Sequence, residues 1–195
     1  MSSHRPDTSP VVYSIGHSNH SIERFLELLR LHRVEVLVDV RSKPYSSYSP
    51  HFSREALESA VTAVGLRYLY LGEKLGGRPE EEQVYDGQRA DYERVAAIPR
   101  FQDGIECLLR EAGQYRVAVM CSEEAPKRCH RYRSIRPELQ KRGVEMRHIR
   151  GDGRVEDDVG LHGGQLSMFL SGEEPGWKSI PLGSRKRRRR TSSEP

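Results

Sequence analysis

Val117-Ala118-Val119-Met120-Cys121-Ser122-Glu123-Glu124-Ala125-Pro126-Lys127-Arg128-Cys129-His130-Arg131 decides the fold. Its first four residues are a short apolar run with two β-branched valines, the pattern of a strand buried on both faces. The run leads straight into Cys121, a loop follows, and a helix is expected from about Arg128 to Arg142, kinked or divided by Pro137. Strand, loop and helix in that order make one unit of an α/β fold.

The same unit recurs outward in both directions. Val11–Ile15 reads as a strand stopped by Gly16, and Ser21 can N-cap a helix whose apolar face is Ile22, Phe25, Leu26 and Leu29. Val36–Val40 is a second strand. A loop from Arg41 to His51 with two prolines and four serines precedes a helix capped by Ser53 and closed at Gly65. Leu66–Leu71 is a third strand, and residues 72–91, rich in Gly, Glu and Gln, form an excursion off the scaffold. Tyr92–Ile98 suits a short helix, and Pro99 suits the first position of a longer one ending at Gly113. Val144–Ile149 closes the series as a fifth strand.

Five alternations predict a single α/β domain over 11–170, with a mainly parallel five-stranded sheet, helices on both faces and room for an antiparallel edge strand. Residues 1–10 read as a loose lead, Leu166–Leu170 as a short docking helix, and 171–195 as a disordered basic tail.

The chain has 195 residues, 35% hydrophobic and 31% charged, with a mean hydropathy of −0.73. No apolar run approaches the roughly 20 residues of a membrane span. The first ten residues lack an apolar signal core. Three cysteines, Cys107, Cys121 and Cys129, are too few for a disulfide scaffold, so the expectation is a reduced, cytoplasmic setting without a membrane partner. The net charge of +4 sits in the tail: seven of 32 basic and three of 28 acidic residues lie beyond 170, leaving 25 of each before it. A pI of about 9.0 therefore says nothing about the folded body.

In open α/β sheets, ligands bind beyond the carboxyl ends of the strands. Gly16-His17-Ser18 follows the first expected strand. The second ends in Asp39 and leads to Arg41 and Tyr45; the fourth leads to Cys121 and Glu123, with Cys129-His130-Arg131 beyond. Cys121 can be a nucleophile, its thiol pKa lowered by a helix start and nearby arginines, with Glu123 or His130 as general acid/base and Arg131 as anion clamp. The alternative is a small residue packed at a strand end. His17 can bind an anion or brace a loop, and Asp39 with Arg41 can act on substrate or form a buried pair that organises the loop. Cys107, between Ile105 and Leu108 in a helix, reads as structural.

Spacing removes several chemistries. Cysteine and arginine separated by five residues, the phosphatase pattern, fails because Arg128 comes after six. The paired redox motif with two intervening residues is absent. Zinc can use Cys121, Cys129, His130 and a distant histidine, but short-spaced ligand pairs are missing, so no metal or other cofactor is expected. Gly72, Gly76 and Gly77 fit no dinucleotide fingerprint.

Taken together, Ser14-Ile15-Gly16-His17-Ser18, Val38-Asp39-Val40-Arg41-Ser42-Lys43-Pro44-Tyr45-Ser46, Leu75-Gly76-Gly77, Met120-Cys121-Ser122-Glu123, Cys129-His130-Arg131 and His148-Ile149 resemble the bacterial and archaeal family called domain of unknown function 488. The resemblance runs from about Val12 to Gly153. It implies an α/β domain whose shared residues gather at one sheet edge, which adds weight to Cys121, Glu123, Cys129, His130 and Arg131. Asp39-Val40-Arg41 also resembles rhodanese-like sulfurtransferases, but their glycine-rich loop after the cysteine is not present.

Three readings follow. The first is an enzyme with a Cys/Glu/His/Arg cleft for a small anionic molecule, a nucleotide or nucleic acid, binding it through Gly16, His17, Ser18, Asp39, Arg41, Tyr45 and Arg131. The second is a non-catalytic nucleic-acid-binding module with Arg185, Lys186, Arg187, Arg188, Arg189 and Arg190 as its electrostatic arm. The third is a metal or redox sensor built on Cys121 and Cys129.

Overall fold

The computed structural model describes residues 10–45 and 47–157. The lead before residue 10, the Leu166–Leu170 helix and the basic tail from 171 lie outside the described residues.

Five parallel strands, β1 (Val11–Gly16), β2 (Val36–Asp39), β3 (Arg67–Tyr70), β6 (Val117–Cys121) and β7 (Glu145–Ile149), occupy the five stretches expected of strands. A sixth, β8 (Val155–Glu156), pairs antiparallel with β7, so the sheet has six strands rather than five, in the order β3-β2-β6-β1-β7-β8. The extra strand forms because Gly153, at φ +92°, turns the chain back on itself. Within the 72–91 excursion, the pairs β4 (Tyr85–Asp86) and β5 (Arg89–Ala90) form a separate hairpin turned at Gly87.

The order of travel sets the layers. Helix α1 (Ile22–Leu31) carries the chain from β1 to β2, and α2 (Arg54–Ala63) carries it on to β3. Direction then reverses, with α5 (Pro99–Ala112) leading to β6 and α6 (Arg136–Gln140) to β7. Right-handed crossovers put helices of opposite travel on opposite faces. Accordingly Phe25, Leu28, Leu29, Leu57 and Val61 pack on Leu37, Ala118 and Met120. On the other face Phe101, Ile105, Leu108, Ile135 and Leu139 pack on Val36, Val38, Val117 and Val119. Strand alternation assigns odd and even positions to the two cores. Of two shorter helices, α3 (Gly72–Leu75) opens the excursion and α4 (Tyr92–Ala96) follows it.

Local chemistry explains the ends. Ser21 Oγ accepts the Arg24 N–H at 3.2 Å, Pro99 opens α5, and Gly65, at φ +82°, follows α2. The long helix expected from Arg128 to Arg142 does not form. A 3₁₀ turn over Pro126–Arg128 is followed by a π-helical turn over Arg131–Ile135, in which the Arg136 N–H reaches back to the Arg131 carbonyl, and only then by α6. Pro137 has no N–H to donate to the Arg133 carbonyl and its ring crowds that turn, so the helix is divided there, one of the two effects expected of this proline, by a widened turn. Among the described residues no helix is long and apolar enough to cross a membrane.

Candidate functional site

The sheet order puts β6 between β1 and β2, so Cys121 emerges between Gly16-His17 and Asp39-Arg41. Helices leave β1 and β6 toward opposite faces, which opens a crevice at their carboxyl ends. The two loops stay zipped beyond the strands: His17 N–H donates to the Cys121 carbonyl at 2.9 Å, and Ser18 N–H to the Ser122 carbonyl at 3.0 Å. A Cβ on Gly16 would collide with the Glu123 carbonyl, so only glycine allows this approach.

Alternation then divides the polar residues into two groups. Asp39 shares the parity of Leu37 and lies toward α1 and α2. Its carboxylate accepts the single N–H of Arg41 Nε, forked between its two oxygens at 2.9 and 3.1 Å, one N–H from Nη2 at 2.6 Å and the hydroxyl of Tyr68 at 2.7 Å. Arg41 Nη1 donates to the Phe52 carbonyl at 2.8 Å and faces His17 Nε2 at 3.4 Å. Both members of the pair are buried. Most of the guanidinium's donors are thus spent inside the protein, and Arg41 organises the Pro-rich loop as the second of its two expected readings. His17 stacks on Phe52 with centroids 4.3 Å apart, and its Nδ1 donates to the Ser18 carbonyl at 2.9 Å. Burial and the neighbouring Arg41 charge bring its pKa down to about 4, so at neutral pH it braces the loop as a neutral ring.

The second group lies toward α5 and α6. Cys121 Sγ and Cys129 Sγ stand 3.7 and 3.6 Å from His130 Nδ1. His130 Nε2 donates to the Val40 carbonyl at 3.0 Å, so the ring presents Nδ1 to both sulfurs. Arg131 Nε donates to Cys129 Sγ at 3.3 Å, Nη1 to Ser14 Oγ at 3.3 Å, and Nη2 to the Glu123 carbonyl. Ser14 Oγ is bonded in turn to His148 Nδ1 at 2.7 Å. The hydrogen bond from Cys121 pulls the Cys129 thiol far below its ordinary range; burial opposes this, and His130 and Arg131 reinforce it. Cys121 moves the opposite way, pushed up by that same hydrogen bond and by burial. The depressed thiol expected at Cys121 therefore belongs to Cys129. The Arg131 Nε–H on Cys129 Sγ points the same way, since it favours negative charge on that sulfur.

Above the sulfurs opens a cleft of about 440 Å³ whose wall includes Cys121, Cys129, His130, Lys43, Arg78 and Arg128. Arg41 and Glu123 also reach it, and the Glu123 side chain is exposed at its rim. Lys43, Arg78 and Arg128 are exposed and form no ion pair among the described residues. Arg78 is set in place by its N–H, which donates to Ser42 Oγ at 3.0 Å. Gly77 passes close to the imidazole, where a Cβ would lie 2.8 Å from His130 Nδ1.

Not every expected residue reaches the cleft. Arg131 is 1% exposed and serves as the floor beneath Cys129 instead of an anion clamp. Tyr45 is 76% exposed and stands outside the cleft wall. Gly16, His17, Ser18 and Asp39 sit behind it and support its loops. Sequence reasoning left out Lys43, Arg78 and Arg128, although all three lie beside glycine, proline or cysteine motifs already singled out. Ser14 and His148 were missed as partners beneath the site. Cys107 packs half-buried against the α5 core, as expected.

The donor atoms of Cys121, Cys129 and His130 lie within 4.8 Å of one another, close enough to hold a metal ion. The absence of short-spaced ligand pairs is offset by the fold, which returns the 3₁₀ turn to the end of β6.

No curated protein and no solved structure matches the chain. A family model described as domain of unknown function DUF488 matches residues 21–134, a span that takes in Asp39, Arg41, Gly77, Cys121 and the Cys129-His130-Arg131 run, and the chain belongs to that family.

Proposed function

We propose that the cleft is the active site of an enzyme acting on an anionic substrate through Cys129. One observation carries the reading: two sulfurs and an imidazole nitrogen converge at the base of a cleft whose exposed cations, Lys43, Arg78 and Arg128, lack carboxylate partners among the described residues. Converging cations suit a phosphate, sulfate or carboxylate group. In this reading the Cys129 sulfur attacks an electrophilic atom of the bound anion, the bond to the leaving group breaks with its electron pair, and the Cys121 proton is at hand to neutralise it. Glu123, at the rim, is placed to exchange protons with solvent.

The test is to incubate the full chain with a mixture of small anionic metabolites and follow their consumption by mass spectrometry. Wild type should consume a compound that Cys129→Ser leaves untouched. Lys43→Ala with Arg78→Ala should weaken its binding at least tenfold. Equal consumption by Cys129→Ser ends the reading.

A second reading is favoured by the spacing of the donors. Zinc–sulfur bonds of about 2.3 Å and zinc–nitrogen bonds of about 2.0 Å, at tetrahedral angles, separate S and N by roughly 3.5 Å. The observed 3.6 and 3.7 Å agree. The bond from His130 to Val40 is the outer contact that orients a ligating imidazole. Three protein ligands with the fourth direction open to the cleft describe a catalytic metal site, and the metal would act there as a Lewis acid. Elemental analysis of the purified full chain should then find about one zinc per chain, lost in both Cys121→Ser and Cys129→Ser. Metal-free protein that still consumes substrate returns the assignment to the thiol.

A further inference from the structure

The cleft does not end at Arg128. A neighbouring cavity of about 550 Å³ shares Gly77, Arg78 and Tyr92 with it, so the two form one continuous groove. The second half is built by the excursion between β3 and α4 and by the π-helical turn: its wall adds Tyr85, Arg89 and Arg133 to the shared residues, together with Gln88 and Ala90, and no carboxylate. Tyr85 is fixed by its Oη, which donates to the Pro79 carbonyl at 2.8 Å. The Arg133 guanidinium stands 6.0 Å from the Tyr92 ring centroid, and its Nε donates to the Lys127 carbonyl at 2.9 Å.

We propose that this groove binds a single strand of nucleic acid across the two chambers, with one nucleotide's phosphate at Lys43, Arg78 and Arg128 and the next nucleotide between Tyr85, Tyr92, Arg89 and Arg133. The proposal rests on the reading of the first chamber as an anion site and names its substrate class. Three observations carry it. The cations are spread along the groove from Lys43 to Arg89 rather than gathered at one point, which matches a repeating charge and not a lone phosphate. Two half-buried tyrosines lie among those cations, and bases stack on such rings regardless of sequence. A pure charge groove for an acidic peptide has no use for them. Finally, the chambers meet edge to edge at Arg78 and Tyr92, so a mononucleotide fills one and leaves the other empty, whereas a strand fills both.

The experiment compares the full-length wild type with Arg89→Ala/Arg133→Ala. Both residues are exposed, so the double variant folds, and both proteins carry Arg185–Arg190, so the tail contributes equally. Fluorescein-labelled hexamers of deoxythymidylate and of uridylate are titrated by anisotropy over a salt series, and unlabelled thymidine monophosphate is added as competitor. At least one hexamer should bind at least tenfold more weakly to the double variant, with a salt slope smaller by about 1.4, the release expected for two single-strand phosphates. The competition constant of the mononucleotide should stay within twofold. Tyr85→Leu should weaken the hexamer with its salt slope unchanged. Which hexamer responds tells DNA from RNA. Hexamer binding that the double variant does not alter overturns the proposal, as does a mononucleotide weakened as much as the hexamer. A mononucleotide that binds while neither hexamer binds more tightly overturns the strand and leaves the anionic first chamber standing; failure of all three ligands removes both.

Discussion

Gly77 and His130 lie so close that a single methyl group on the glycine would stand 2.8 Å from the imidazole Nδ1, the atom that faces both sulfurs. The ring has nowhere to retreat, because its other nitrogen is held by Val40. Gly77→Ala should therefore disturb the site far more than the fold. The expected result is a loss of cleft chemistry of about tenfold or more, with a thermal midpoint within a few degrees of wild type. Gly16→Ala makes the contrast, since its Cβ meets the Glu123 backbone and forces two loops apart. It should cost about 3 kcal/mol, the upper range for overpacking, read from urea unfolding.

Breaking the Asp39–Arg41 pair should destabilise the fold more than the pair itself stabilises it. Asp39→Asn or Arg41→Ala leaves one buried charge without its partner, and such losses run to about 3–5 kcal/mol. Tyr68→Phe removes one hydrogen bond to the same carboxylate and should cost about 1–2 kcal/mol. Equilibrium unfolding of the three variants orders them. Equal stability of Arg41→Ala and wild type would show that the pair does not organise the loop.

Thiol reactivity should follow Cys129. In chelator-treated protein, iodoacetamide at pH 6 should label Cys129 ahead of Cys121, with half-buried Cys107 as the internal comparison. Cys121→Ala removes the hydrogen bond that holds the Cys129 thiolate, so Cys129 should become harder to label as pH is lowered, its labelling profile moving toward higher pH. Peptide mass mapping reads both. Preferential labelling of Cys121 reverses the roles.

The His17 ring gives the fold a pH dependence of its own. Its ordinary value is 6.5 and in the folded chain it is about 4. Between those values the unfolded chain binds a proton that the folded chain refuses. This contribution is therefore complete above pH 6.5 and is lost as pH falls toward 4, by about 3 kcal/mol in total. His17→Gln should flatten the difference in unfolding free energy between pH 7.5 and pH 4 by about that amount. An unchanged pH profile would mean that the ring is solvated.

The scaffold was readable because its signals are local. Ser21 caps, Pro99 opens and Gly65 follows a helix through bonds within a few residues, and the five apolar runs are long enough to mark their strands. What was misread depends on contacts far apart in the chain. Arg131 looks like a surface cation in a charged stretch, and only the return of the π-helical turn under β6 buries it on Ser14. Cys121 and Cys129 are equivalent by composition; their thiols are moved in opposite directions by one hydrogen bond between them, and the Arg131 guanidinium donates to Cys129 Sγ. Lys43, Arg78 and Arg128 are exposed and follow no periodicity, so nothing in the chain distinguishes them from solvated charges until three loops meet. Tyr45 failed for the opposite reason: it lies within a motif of the resemblance, yet its side chain points to solvent.

The placement of β6 also sets a timetable. As the chain is synthesised, β1 and β2 emerge within the first 39 residues, but their shared neighbour begins only at Val117. Until then each of the two lacks the central strand it pairs with, and a cooperative sheet has to wait for a contact about a hundred residues away. The delay falls on the chemistry as well. Cys121 and Cys129 enter the chain with the strand that joins β1 to β2, so the thiol pair, its imidazole and its arginine floor take shape only when that central pairing forms.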